Sequence, residues 1–259
     1  MQTDVKAILL AAGRGSRLSP LTDDRPKGMV ELDGKPLLHH QLEVLHGAGI
    51  TDIAVVTGYR GDRISHPAIP VRRIENPRWE TTNMVASLYC AAPELSSAAI
   101  VAYTDIVYQP SVVEALLACP ADICVVVDTG FLAYWSLRFD DPLADVESLQ
   151  MDARQCITKI GDKVTDIAEV QAQYIGLMKF SAAGATLLRR TLDALRGEPG
   201  FDKMFMTDLL RHLIHAGHPV QAVPHRHGWV EIDSASDLEI ARRMLAAREG
   251  ERLFDPGTV

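Results

Sequence analysis

Little in this chain is aromatic: Phe, Trp and Tyr make up 6% of its 259 residues. Cysteine is sparser still, and Cys90, Cys119, Cys124 and Cys156 lack metal-ligand spacing. That excludes a disulfide scaffold or a zinc module, and all four are expected as reduced thiols. No apolar run approaches the ~18 residues of a membrane span, so no membrane insertion is expected. A basic region followed by a cleavage site is also missing from the first residues, so the chain reads as free of a signal peptide and cytoplasmic. Positive charge is in deficit, with 26 Lys and Arg against 34 Asp and Glu. That balance argues against a broad nucleic-acid surface, while it leaves room for a local basic cleft for a phosphorylated ligand. The sequence holds neither a Gly-Lys-Ser/Thr phosphate loop nor a GxGxxG turn at its glycine-rich segment.

What is present is a core-forming composition, 47% hydrophobic, in a length that suits one domain over residues 1–250 with a short tail at 251–259. Strand-like apolar runs at Val5–Leu10, Ile53–Thr57, Val71–Glu75, Ala99–Tyr103 and Ile123–Val127 alternate with helical patterns at Pro36–Gly47, Thr82–Ala92 and Ser111–Ala118. Strands apolar on both faces, separated by amphipathic helices, predict a three-layer α/β fold around a mainly parallel sheet. The rhythm then breaks. Trp135–Asp140, Glu147–Asp152, Cys156–Ile160 and Gln173–Phe180 read as closely spaced strands of a small β-rich lobe, residues 131–180, inserted on the substrate side. Helices are expected again at 182–196, at Thr207–Ala216 with Thr207 as N-cap, and at Ser236–Arg248, with a late strand at Pro219–Pro224.

Chemistry concentrates in a few segments. Leu9-Leu10-Ala11-Ala12-Gly13-Arg14-Gly15-Ser16-Arg17 ends the first strand, where small residues let backbone approach a nucleotide and the arginines suit phosphate oxygens. Arg25-Pro26-Lys27-Gly28 follows closely. Asp105 stands at the carboxyl end of a strand, where α/β sheets present ligand groups. Asp233 lies in Trp229–Asp233, and one carboxylate from each segment would hold Mg²⁺. For Asp105 a plain strand-end or helix-capping role is an equal alternative, and a helix cap is an alternative for Asp233 as well. His225 and His227 lack partners for a zinc site and read as surface residues.

Three stretches together carry a family resemblance: Leu9–Leu38, Asn76–Leu88 (NPRWETTNMVASL) and Trp229-Val230-Glu231-Ile232-Asp233. They resemble the nucleotidyltransferases that activate sugar phosphates and small phosphorylated alcohols, and within them the choline-phosphate and aminoethylphosphonate cytidylyltransferases, over about residues 5–245. The resemblance implies a Rossmann-like core, a divalent metal, and direct nucleotidyl transfer with pyrophosphate release. It assigns Leu10, Ala11, Ala12, Gly13, Arg14 and Gly15 to the nucleotide, Arg17 to its phosphates, and Lys27 to the role of main catalytic cation, with Asp105 and Asp233 as metal ligands. Thr104 departs from the Gly or Ala common before the first aspartate, and it too is expected beside the nucleotide. Thr57, Gly58 and Tyr59, with Thr82, Asn83 and Ser87, fall where relatives contact a pyrimidine, although Thr82 and Asn83 also suit plain N-capping.

For the acceptor, Trp79, Tyr108, Trp135 and Trp229 offer aromatic faces to a quaternary ammonium, and filling the core is the competing use of each. Glu147 or Asp140 would complement an amine. Lys163 matches a position that contacts the acceptor phosphate in relatives, but it stands in Gly161-Asp162-Lys163 rather than Glu-Lys-Pro, which counts against a sugar acceptor. Tyr174 and Gly176 bring a strand's backbone to the ligand. The expected activity is Mg²⁺-dependent transfer of CMP from CTP to a small phosphorylated or phosphonylated alcohol or amine, by a monomer or homodimer. The alternative is a sugar-1-phosphate nucleotidyltransferase using UTP, GTP or dTTP.

Overall fold

The computed structural model describes residues 4–247 and Phe254. Strand β1 (Lys6–Ala11) is buried on both faces, with Ala7 and Leu9 in one apolar cluster and Ile8 and Leu10 in another. The period-2 alternation of side chains feeds two separate layers of helices. After a small ladder of β2 (Glu31–Leu32) and β3 (Lys35–Pro36), helix α1 (Leu37–Gly47) leads to β4 (Ile53–Thr57), β5 (Arg72–Glu75) and helix α2 (Met84–Cys90). β6 (Ala99–Tyr103) and β7 (Ile106–Tyr108) flank one short turn, followed by α3 (Pro110–Ala118) and β8 (Ile123–Asp128). Then come α4 (Phe131–Arg138), a hairpin of β9 (Glu147–Met151) and β10 (Ile157–Lys163), and β11 (Gln173–Phe180). Helices α5 (Ala182–Leu195) and α6 (Met206–His215), strands β12 (Gln221–His225) and β13 (Trp229–Glu231), and α7 (Ala235–Ala246) complete the described chain.

The seven-stranded sheet runs β12-β8-β11-β6-β1-β4-β5. All its pairings are parallel except those of β11, which lies antiparallel between β6 and β8. Residues of α1, α3, α4 and α7 share one apolar cluster, and those of α2, α5 and α6 share the other. This is the three-layer α/β arrangement that the sequence pattern implies. Strand order reverses around β1 and β6, and the loops leaving their carboxyl ends open together, as ligand-binding crevices in such sheets do.

Five expectations need correction. Trp135–Asp140 is not a strand: Phe131, Tyr134, Trp135 and Arg138 recur at helical spacing, and α4 ends at Arg138. Gln173–Phe180 is a strand, but of the central sheet rather than of an inserted lobe. Cys119 and Cys124, expected as thiols, form a disulfide, and Cys90 and Cys156 are free. Of the expected tail, Phe254 is fully buried, and the rest lies outside the described residues. Thr207 also sits inside α6 instead of capping it, and the amide of Phe205 donates to the Asp208 carboxylate at 2.8 Å.

Candidate active site

The turn after β1 is shaped by what it must pass. Gly15 takes φ +71°, and a Cβ there would stand 2.8 Å from Cβ of Lys27. The missing side chain lets the Lys27 stem run beneath the turn, while the left-handed conformation is one that only glycine adopts freely. The Lys27 ammonium reaches between two carboxylates: it donates to Oδ2 of Asp105 at 2.8 Å and to Oδ1 of Asp233. The other Asp233 oxygen, Oδ2, meets Nη2 of Arg17 at 2.9 Å. Burial by itself would lower the Lys27 pKa, but the charges and hydrogen bonds of Asp105 and Asp233 prevail and raise it to about 12. Burial pushes the Asp233 pKa up, yet Lys27 and Arg17 bring it below the ordinary carboxylate range.

Strand pairing brings the aspartates together. β13 runs antiparallel to β7, with Glu231 opposite Ile106, and the amide of Ile232 donates to the Asp105 carbonyl at 2.8 Å. Residues 128 positions apart in the chain thus end on one rim. The turn holding Asp105 is clamped from below by Gln41 of α1, whose buried Nε2 donates to the carbonyls of Tyr103 and Ile106. Thr104 is buried and gives its hydroxyl to the Leu10 carbonyl at 2.9 Å, so it ties β6 to β1. Glu231 is the third acidic member, and one oxygen each from Asp105, Glu231 and Asp233 lie within 4.8 Å of one another. Hard carboxylate oxygens so grouped suit Mg²⁺ or a similar cation. Oδ1 of Asp105 is buried without a hydrogen-bond partner among the described residues, an acceptor whose lone pairs are open to a cation.

Two cavities meet at this rim. One, of about 330 Å³, is lined by Leu10, Ala11, Gly13, Gly15, Arg17 and Lys27 with Thr104 and Asp105. The other, of about 220 Å³, is lined by Trp135, Asp145, Glu147, Tyr174, Gly176 and Thr207 among others. Met84, Tyr103, Glu231 and Asp233 belong to both walls. In the second cavity the Trp135 indole N–H donates to Asp145 at 3.2 Å. Burial raises the pKa of Asp145, with Asp233 adding to it against Arg138. It raises that of Glu147 too, with the Asp145 charge adding to the effect.

The structure therefore brings together Leu10, Ala11, Gly13, Gly15, Arg17, Lys27, Thr104, Asp105 and Asp233 on the first side. It gathers Trp135, Glu147, Tyr174 and Gly176 on the second. Arg14 stays close, with its guanidinium 5.3 Å from the Tyr59 ring centre, and the Tyr59 backbone N–H donates to the Ala12 carbonyl at 3.0 Å. Thr57 and Gly58 line a separate groove at the sheet edge.

Several residues expected to touch ligand do not face either cavity. Tyr108 and Trp229 are 1% and 3% exposed, packed between β7, β13 and α4; the Trp229 N–H donates to Asp128. Both serve the core. Trp79 packs beside Gly58 and Tyr59, away from the acceptor side. Lys163 is exposed at the end of the hairpin opposite Glu147. Asp140 is exposed as well. Ser87 is buried and accepts from Asn76, as does Thr82. Asn83 holds the Lys203 carbonyl. These three brace α2, which carries Met84 into both cavities.

Gln41, Asp145 and Arg138 were not legible as site residues. Gln41 sits in an apolar helical stripe and Asp145 in a turn, and nothing local in sequence points either one at Asp105 or Trp135.

Comparison with known proteins agrees with this geometry. The family described as MobA-like NTP transferase domain matches residues 7–250. The chain belongs to that family and is an enzyme of the nucleotidyltransferase class. It is 39% identical over 253 residues to a CTP:phosphoglutamine cytidylyltransferase of Campylobacter jejuni, covering 91% of this chain and 98% of that one. It is 27% identical to a 2-aminoethylphosphonate cytidylyltransferase of Lancefieldella rimae, covering 90% and 89%. Among solved structures, the CTP:phosphocholine cytidylyltransferase of Streptococcus pneumoniae superposes with a TM-score of 0.72 at 24% identity, covering 93% of this chain and 99% of that one. The inositol-1-phosphate CTP transferase of T. maritima gives 0.73 at 20% identity, covering 96% and 100%. At those identities the likeness is one of fold.

Proposed function

We propose that the protein transfers CMP from CTP to a small phosphorylated or phosphonylated acceptor that carries an ammonium group, releasing pyrophosphate. The observation that carries this reading is the shared wall of the two cavities: a glycine-lined basic side abuts an aromatic and acidic one, with the carboxylate cluster between. A transferring phosphorus belongs at that junction. Use of CTP rests on the names of the sequence relatives, a CTP:phosphoglutamine cytidylyltransferase and a 2-aminoethylphosphonate cytidylyltransferase.

An acceptor phosphate oxygen attacks the α-phosphorus of CTP, and the bond to the β-phosphate oxygen breaks in line, so that pyrophosphate leaves with that electron pair. Lys27 and Arg17 are donors at the site where negative charge accumulates, and their contribution is electrostatic preorganisation. Mg²⁺ held by Asp105 and Asp233, with Glu231 alongside, would neutralise phosphate charge there. No general base is called for, because the acceptor phosphate is already ionised near neutral pH. Backbone of the Leu10–Gly15 turn lies against the nucleotide. Trp135 and Tyr174 cover the acceptor's hydrocarbon portion, and Asp145 and Glu147 face its ammonium. Among the described residues neither Lys nor Arg lines that cavity, which favours a cation. The Gln173 amide is already bonded to Glu147 backbone, so it is engaged within the protein rather than offered to a hexose hydroxyl.

Pyrophosphate release, measured for four nucleoside triphosphates crossed with phosphocholine, 2-aminoethylphosphonate, phosphoglutamine and hexose-1-phosphates, tests the proposal. CTP with an ammonium-bearing acceptor should give the highest kcat/KM. Preference for any hexose-1-phosphate over all of these would overturn the acceptor assignment.

A further inference from the structure

We infer that Arg138 is a positioning residue for the carboxylate rim: from α4 it fixes both flanks of the loop that carries Asp233. The inference rests on the reading of Asp105 and Asp233 as the ion site. The Arg138 side chain is 1% exposed, and its guanidinium forks. Nη1 donates to Glu231 at 2.6 Å, and Nε donates to Oδ1 of Asp237 at 2.9 Å. Glu231 and Asp237 bracket Asp233 on its two sides. Asp237 completes the link with its second oxygen, Oδ2, which accepts the backbone N–H of Asp233 at 3.0 Å and of Ser234 at 2.8 Å. One buried cation therefore sets where the Asp233 backbone stands, and through Glu231 it sets the third carboxylate.

The start of α7 does not require this. Ser234 and Asp237 already form a reciprocal cap, and a cap functions without a buried guanidinium. Burying an arginine is costly unless geometry and partners compensate. Here the compensation is a planar fork between two acids, inside a cage of rings: the Tyr134, Trp135 and Phe139 centres lie 5.4, 5.2 and 5.1 Å from its central carbon. Trp135 of that cage also forms the acceptor wall, so α4 is a strut between the acceptor cavity and the carboxylate rim. Lysine is a point charge and cannot satisfy both acids in this geometry.

Mn²⁺ binding to the full-length protein, followed by water-proton relaxation with and without CTP, provides the test. Arg138→Lys should weaken Mn²⁺ affinity by about tenfold or more, as loss of outer-shell support does. The Mg²⁺ half-saturation of activity should rise in step, with kcat at saturating Mg²⁺ recovering to within a few-fold of wild type. A folded Arg138→Lys protein whose Mn²⁺ affinity is unchanged would overturn the inference, since a purely structural arginine would lower Tm alone. If that variant fails to fold, Asp237→Asn is measured in the same way: weakened affinity supports the role and unchanged affinity rejects it. A wild-type protein that binds no Mn²⁺, with or without CTP, would remove the ion-site reading and Arg138's role with it.

Discussion

Lys27 has two roles at one position. Without ligand it pairs with Asp105 and Asp233, and on the proposed reading it would be the cation closest to the transferring group. Lys27→Ala should lower kcat by about 100-fold or more, the scale of losing a preorganised charge contact, with the far-UV circular dichroism spectrum retained. A near-wild-type kcat would show that the charge is not needed. Gly15→Ala acts on the same lysine indirectly, because the new Cβ would press on its stem. Turnover should fall by about tenfold or more, since misplacing a catalytic group costs rate steeply, while KM for the acceptor changes little. A residue-scale pH effect follows from Asp145 and Glu147. Burial raises both above their ordinary values, so they take up protons at higher pH than exposed carboxylates and lose their attraction for an ammonium. Acceptor KM should therefore rise as pH falls through a window above the ordinary glutamate value of 4.5. Glu147→Gln should raise KM at neutral pH and flatten that profile, and a profile unchanged by the substitution would dissociate Glu147 from the acceptor.

Elements were legible in the sequence where pattern and burial coincide. β1, β4, β6 and β8 are apolar on both faces and flanked by helices, so the parallel part of the sheet could be read directly. α4 could not: Phe131, Tyr134 and Trp135 favour strands by composition, and only their helical spacing against β13 and α7 decides the matter. β11 was read correctly as a strand but given the wrong neighbours, because a strand's residues do not name its partners. The same limit explains the site. Motif residues near β1, β6 and β13 were found from type and spacing. Tyr108 and Trp229 were placed with the acceptor although the core had claimed them, and Gln41 and Arg138 act through contacts spanning 60 or more residues. Gly58 shows how an element end depends on one missing atom. A Cβ there would lie 2.5 Å from Trp79 and 2.6 Å from the Ala12 carbonyl. Gly58→Ala should cost about 1–3 kcal/mol in urea unfolding, as overpacking does, and raise KM for CTP by separating the β1 and β4 turns.

At the scale of the whole molecule, the sheet is a base, and the candidate site residues stand on loops at the carboxyl ends of its central strands. No helix among the described residues is long and apolar enough to cross a membrane. On the proposed reading, chelation by EDTA should abolish activity reversibly, with Mg²⁺ restoring it and Tm little changed. CTP added together with Mg²⁺ should raise Tm, because only the folded state binds them. Asp105→Asn should shrink that rise, and an equal rise in the variant would separate Asp105 from the ion.

On the proposed reading, the position of Lys27 between the two aspartates sets a rule for assembly. A single ammonium cannot balance the aspartates and a triphosphate at once, so it is free for the nucleotide only when another cation has taken over the aspartates. Divalent ion and nucleotide must then strengthen each other's binding by equal factors. Free CTP would meet a lysine already engaged, and a lone ion would meet a seat already filled. The protein would thus respond to the metal-complexed share of the nucleotide pool rather than to its total, and its output would follow cellular magnesium even with CTP in constant supply.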